Sequence, residues 1–426
     1  MKKLMILGGN PETAIVVSTA NAMGIYTIVV DPNRDAPAKK VASETHEIDG
    51  FEVDKIVQLA KDRQVDGVLV GVADILVKPY FEICEKLNMP CYATKDAVGA
   101  FCSKDGFKRY CIEHNIQDIP GIYLDRDSKI EKPKNIDYPL MVKPVDSGGG
   151  VGMKICRDDS DYEATVKTAL EFSKKGVVLV EKYMACDDMA AYYTFRNGEP
   201  YLSATYDRIT TKEQGDLSPV GIGAVYPSKY AELFLQKAHP KLSAFFKALH
   251  IKNGVLNLQF FVDKGEFYAY DPGFRLQGEA PHIHLAHING FDHRKMLINF
   301  ALTGIFGDDG FSTKNDPRFR GKIASTVWVL LKQGKIETIQ GMDEIKSDKN
   351  VVFTMERFKE GDSVLPEWIG TERQVYTRIY LVTDTIEEMN AKIAHFKNSL
   401  VITDQQQRDM ILTWMEPIDP LAYQQN

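Results

Sequence analysis

Over the first hundred positions, strand-like apolar runs alternate with helical patterns. Lys3–Leu7 and Tyr26–Val30 are short apolar runs, and Val65–Val70 reads as a further strand. Between and after them, Pro11–Met23, Asp54–Asp62 and Lys78–Leu87 carry apolar residues at helical spacing, and Pro90–Ala93 closes the series. Strands that alternate with helices predict a parallel sheet in an α/β domain. From about position 97 to 310 the pattern changes to glycine clusters, strand pairs and most of the unusual polar residues. Asp309–Pro317 is a loop or boundary by composition. The remainder, to Asn426, reads as strands, loops and one clear helix near Thr385–Leu400. This divides the chain into 1–96, 97–310 and 311–426. There is no internal repeat and no low-complexity tract.

Composition narrows the class without naming a chemistry. The chain has 426 residues, 44% of them apolar and 26% charged, with a formal net charge of -7. At about 100–200 residues per domain, two to four domains are expected. The mild acidity argues against a nucleic-acid partner, which favours a basic face. No apolar run approaches the roughly 18 residues of a membrane span. The opening Met1–Leu7 is too short for a signal peptide, is broken at once by Gly8-Gly9-Asn10-Pro11, and reads as a first strand. The six cysteines form no C-x-x-C pair, which predicts reduced thiols and a cytoplasmic protein.

Four segments carry candidate chemistry. In Tyr138–Gly152 an apolar strand delivers Lys143, and a loop with Ser147, Gly148, Gly149, Gly150 and Gly152 follows. Glycines let backbone N–H groups approach phosphate oxygens, although the spacing is neither a Walker A loop nor a dinucleotide fingerprint. The bland alternative is a glycine-rich hairpin. In Val177–Met184 an apolar strand runs out into a polar turn with Asp187 and Asp188, suited to an adenine edge and ribose hydroxyls or simply to a surface turn. In Leu256–Glu279 the residues Asn257, Gln259 and Phe261 share one strand face. A turn at Lys264-Gly265 with a three-residue loop would set Asp271 nearly opposite Gln259. Two such oxygen donors suit Mg²⁺, and Arg275 stands ready as a bidentate clamp for phosphate or carboxylate. Finally, His282, His284 and His287 lie within six residues. They are open to a substrate-pocket, acid–base or merely structural role, with a metal pair the weakest option.

In order and spacing, these segments resemble the ATP-grasp superfamily, in the branch with biotin carboxylase, carbamoyl phosphate synthetase and the purine-pathway carboxylate ligases. The resemblance covers essentially the whole chain. It implies a mixed α/β and α+β architecture: the ATP-grasp fold, with an N-terminal parallel α/β pre-grasp domain and a small C-terminal domain. Ser103–Lys108 resembles the segment whose lysine touches ATP, which assigns that role to Lys104. Lys143 matches the second phosphate lysine, and Ser147–Gly152 the glycine loop. Glu181, Lys182, Tyr183 and Met184 match the linker that holds adenine, and Asp188 the ribose-binding carboxylate. Gln259 and Asp271 match metal positions, and Arg275 the arginine near the transferred phosphate. Glu279, His282 and His284 are carried as substrate-side residues. Two departures stand out. Asp271-Pro-Gly-Phe-Arg275 replaces glutamate-x-asparagine-x-arginine, so Gly273 supplies no ligand, and Glu213 stands where the synthetase branch shows histidine.

The activity implied is an ATP-dependent carboxylate–amine ligase that passes through an acyl phosphate, with ATP and Mg²⁺ (or Mn²⁺) as cofactors. Its partners would be a small carboxylate and an amine, with no nucleic acid and no membrane, and a homodimer is compatible with it. Two alternatives stay open: an enzyme that phosphorylates bicarbonate, and a nucleotide sensor without turnover, for which Gly273 is the main support.

Overall fold

The computed structural model describes residues 1–146, 152–211 and 219–423, with Lys104 and Asp105 described by their backbone alone. Strands Lys3–Leu7 (β1), Tyr26–Val30 (β2), Glu44–His46 (β3) and Gly67–Val70 (β4) form a parallel sheet in the order β3-β2-β1-β4. The central strands are buried along nearly their whole length, as expected where helices cover both faces of a parallel sheet. Helix Pro11–Ala22 (α1) starts where the sequence predicts, for local reasons. Pro11 fills the first turn, and the Asn10 side chain accepts the Thr13 N–H at 2.8 Å. The Asn10 amide also donates to the Val72 carbonyl at 2.7 Å, tying the crevice together beyond β1 and β4. Pro90–Ala93 continues as loop rather than strand.

A second sheet is antiparallel: Gly121–Asp125 (β5), Leu140–Pro144 (β6), Lys154–Cys156 (β7) and Val177–Lys182 (β8), in the order β5-β8-β6-β7. Helix Asp159–Phe172 backs it, and the two enclose a core of their own that includes Leu140, Val142, Val166 and Val178.

The third sheet has nine strands. Asp187–Arg196 (β9), Glu199–Thr210 (β10), Gly221–Tyr226 (β11), Gly254–Asp263 (β12), Glu266–Gly273 (β13) and Ile323–Leu331 (β14) run in the order β13-β12-β9-β10-β11-β14. The sheet continues through Val375–Thr383 to Val351–Glu356, with Ile411–Thr413 beside β14. It therefore takes strands from both sides of position 310. The last helix, Ile386–Ser399, packs on its outer part with Ile379, Leu381, Met389 and Phe396 buried between them. One continuous core joins the parallel sheet to the nine-stranded one, running from Leu4, Ile6 and Val68 to Tyr192, Leu256 and Phe274. Among the described residues no helix is long and apolar enough to cross a membrane, and all six cysteines are free thiols.

Candidate active site

The β12–β13 hairpin sets the geometry. Lys264 and Gly265, with φ of 51° and 77°, make a two-residue turn. That turn alone pairs Asp263 with Glu266 and would bring Tyr270 opposite Gln259. A bulge at the Gln259/Phe260 step inserts one residue into β13, so Gln259 faces Asp271 and Asn257 faces Gly273. The facing pair expected from the sequence is present, reached by a shorter turn plus a bulge rather than by a three-residue loop. Tyr270 is the extra residue. Its ring stacks on Phe261 with centroids 4.4 Å apart, and its hydroxyl reaches the Asp188 carboxylate at 3.0 Å.

A cleft of about 780 Å³ opens between the two antiparallel sheets and the edge of the parallel domain. Lys143, Glu181, Lys182, Tyr183 and Met184 line one wall, Phe261, Tyr270 and Asp271 the other, and Asp74, Ile75 and Phe51 the rim. The Lys143 ammonium is buried against the Glu181 carboxylate on the neighbouring strand. Lys182 lies 3.7 Å from Asp263 and so leans across from β8 to β12.

Behind Tyr270 the floor holds a network centred on Arg208 of β10. One terminal nitrogen, Nη1, donates to Asp188 at 2.6 Å, to the Tyr270 hydroxyl at 2.9 Å and to the Gln259 amide oxygen at 3.3 Å. Nε donates to Glu279 at 2.9 Å. The Tyr206 hydroxyl closes the ring between Glu279 at 2.5 Å and Asn257 at 2.9 Å. Burial pushes the Asp188 carboxyl up to about 6, with Arg208 and Tyr270 working against that rise. Burial also opposes the charge on Glu279, but Arg208 and Tyr206 hold its carboxyl below the ordinary range. The Arg208 guanidinium keeps its proton throughout, because Asp188 and Glu279 outweigh its desolvation.

Arg275 is buried at the exit of β13 and reaches back 201 residues to an ion pair with Asp74, while Nη1 serves the Leu276 carbonyl and the Gln277 side chain. Gly273 does not have a positive φ, so its backbone would accept a side chain. The space is tight: a Cβ there would lie 3.2 Å from Asp74 Oδ1 and 3.3 Å from Arg275 Nη1, so those side chains would have to give slightly. His282 and His284 are buried and do not line the cleft. Burial drives both proton-poor, His284 to about 3, and His284 spends Nε2 on Thr326 at 3.1 Å. Ser147, Gly148, Gly149, Gly150 and Glu213 lie outside the described residues, as does the Lys104 side chain. Gly152 is described and has a φ of 75°.

The structure thus brings Lys143, Glu181–Met184 and Asp271 to one cleft. It places Asp188, Gln259 and Glu279 in the polar floor behind it and the two histidines in the core. Sequence reasoning missed Arg208, Tyr206, Tyr270 and Asp74. A faint signal existed for the first two: Tyr206 and Arg208 alternate on one face of a mostly apolar strand.

Residues 104–187 match the family model described as the carbamoyl-phosphate synthase L chain, ATP binding domain. The L-amino acid ligase from Bacillus licheniformis superposes with a TM-score of 0.79 at 18% identity, covering 95% of this chain and 99% of that one. The chain has the ATP-grasp fold. A second ATP-grasp structure, the biotin carboxylase domain of the Hydrogenobacter thermophilus 2-oxoglutarate carboxylase in complex with MgADP, gives a TM-score of 0.72 at 17% identity, over 94% of this chain and 90% of that one. The formate-dependent phosphoribosylglycinamide formyltransferase of Bacillus subtilis (strain 168) is 26% identical over 199 residues. Those residues are 46% of this chain and 52% of that protein, so the match spans about half the length of this curated relative.

The residues present fit a magnesium nucleotide. Lys143, Arg275 and Arg208 are each already paired with a carboxylate, so they carry little surplus charge to neutralise several phosphates. Asp271 adds a further acidic group at the same cleft. Among the described residues no three His, Cys, Asp or Glu side chains form a cage for a metal. A Mg²⁺ that draws most of its oxygen ligands from phosphate and water needs no such cage.

Proposed function

We propose that the chain is an ATP-dependent carboxylate–amine ligase that forms an acyl phosphate and releases ADP and phosphate. The observation that carries this reading is the cleft itself. A buried lysine and the Glu181–Met184 strand end face Asp271 across a space that fits a nucleotide with a small acid beside it. Two relatives named for a formate-dependent formyl transfer and an L-amino acid ligation support a carboxylic acid as one substrate.

In this reading Glu181–Met184 receive the adenine, and Lys143 leaves Glu181 to meet the phosphates. Asp271 would hold Mg²⁺ together with phosphate and water oxygens, while Gln259 facing it is turned to Arg208, and the ion would supply charge neutralisation at the transferring phosphate when bound. Arg275, kept in place by Asp74, steadies the three equatorial oxygens. The γ-phosphoryl passes from the ADP oxygen to an oxygen of the acid. The amine nitrogen then attacks the acyl carbon, the carbon–oxygen bond to phosphate breaks, and the amine gives up a proton. That proton can pass to the departing phosphate, since His282 and His284 are buried away from the cleft. Positioning and electrostatics carry the rate, as in other phosphoryl transfers.

A screen of carboxylic acids against amines, with ADP and phosphate release as readouts, tests the proposal. Release that requires one acid and one amine together is expected. Release with bicarbonate alone would replace the ligase by a carboxylase-type reaction. Nucleotide binding without release under any pair would leave a sensor.

A further inference from the structure

We propose that Arg208 is a built-in cation that takes up the ligand capacity of Asp188, Gln259 and Glu279, so that the cleft binds its nucleotide with a single divalent ion on the Asp271 side. The inference rests on the nucleotide reading of the cleft above and adds to it a role for the arginine.

Two carboxylates and one amide oxygen converge from β9, β12 and the Glu279 segment, within 2.6 to 3.3 Å of the guanidinium nitrogens. Two carboxylates and a neutral oxygen make a donor set that hard divalent cations accept readily. Here that set surrounds a cation that cannot leave. Gln259, which faces Asp271 across the hairpin, is turned toward Arg208. Tyr270 is the member that touches both regions, since it lines the cleft and receives an Nη1–H. Positive charge beside the phosphates is therefore divided. One part arrives with the nucleotide and one part is covalently fixed, at constant position and with no dependence on metal concentration. Arg208 is a positioning residue in this scheme. It holds Gln259 and Tyr270 at the cleft wall and contributes its field through them.

The test counts metal ions. Mn²⁺ is titrated into the full chain with saturating ADP, and bound ion is followed by electron paramagnetic resonance. One Mn²⁺ per chain is expected. Two per chain would overturn the proposal, whereas failure of the ADP–Mn²⁺ pair to bind at all would count against the nucleotide reading itself. In Arg208→Ala the vacated donors should take up one additional Mn²⁺ even without ADP, and that ion should vanish in Arg208→Ala/Asp188→Asn/Glu279→Gln. A folded Arg208→Ala chain that gains no ion would also overturn the proposal. Arg208→Lys preserves charge and guards against a folding defect. It should bind one Mn²⁺ with ADP, and two would again refute the idea. It should also lower kcat on the order of tenfold while leaving the KM for ATP within about twofold, because Gln259 and Tyr270 lose their common donor but the nucleotide keeps its contacts.

Discussion

The two walls of the cleft handle charge in opposite ways. On the small antiparallel sheet, Lys143 pairs with one carboxylate among the described residues, Glu181, and the sheet stands on its own modest core. On the nine-stranded sheet, Arg208 has two carboxylates, an amide and a phenol, in a sheet whose core continues into the parallel domain. A lysine with one partner can exchange it for a phosphate at small cost. A guanidinium with four partners cannot. The difference assigns adaptability to one wall and fixed geometry to the other, consistent with a subdomain that has a separate core moving over a floor that does not.

The comparison can be broken most directly on the wall formed by the nine-stranded sheet. Asp271→Asn should reduce turnover on the order of 100-fold, because one charged group at the transferring phosphate is lost, and should raise the magnesium requirement. The melting temperature should barely move, since Asp271 is exposed to the cleft. A magnesium titration of ADP release beside a thermal melt checks both. An unaltered rate and magnesium curve would place the chemistry elsewhere.

The adaptable wall comes next. Lys143→Ala should weaken nucleotide binding by about 1.5–3 kcal/mol, the usual worth of a charge-assisted contact. Glu181→Gln should leave affinity unchanged or raise it, because Lys143 then has no partner to give up. Calorimetry with ATP decides the point. Equal weakening in both variants would mean that the pair acts as a unit and that no exchange takes place.

Asp188 gives the floor a pH signature. Its carboxyl stands at about 6 in the fold against an ordinary 3.8. A raised carboxyl binds its proton more tightly in the folded chain, so its contribution is complete below 3.8 and is lost as pH rises toward about 6. Glu279, held low, works in the opposite sense. Urea unfolding midpoints measured across that window should change in Asp188→Asn, with the fall attributable to Asp188 removed. Superimposable profiles for the parent and the variant would show that Arg208 keeps Asp188 fully ionised. The smallest effect is expected from Tyr270→Phe, which keeps the stack on Phe261 and loses the hydroxyl contacts. About 1 kcal/mol of stability, read from the same urea curves, is the expected cost.

Much of this architecture could be read from local pattern. The parallel domain announces itself through apolar runs and through Asn10-Pro11 at the start of α1. The Gln259–Asp271 pair is expected from alternation and a three-residue glycine turn, but it is reached through a two-residue turn and a bulge that the sequence does not announce. The residues that escaped notice are those whose meaning lies in distant partners. Arg208 looks like any strand arginine until Glu279, 71 positions later, folds beside it. Asp74 reads as a loop aspartate until Arg275 arrives 201 positions on. Nor could composition show that strands on both sides of position 310 share one sheet, because Asp309–Pro317 looks like a break in the sequence, whereas it carries a short helix, Phe311–Lys314, and is spanned in space.

The single extra residue in β13 has an evolutionary consequence. Side chains on a strand alternate sides, so a shift of one position turns the whole segment over. Between Gln259 and Asp271 the count of residues, more than their identity, keeps the amide and the carboxylate opposed. Relatives of this chain should therefore keep the length of Phe260–Tyr268 even where its exposed residues differ, and a one-residue deletion there should silence the protein even where it still folds.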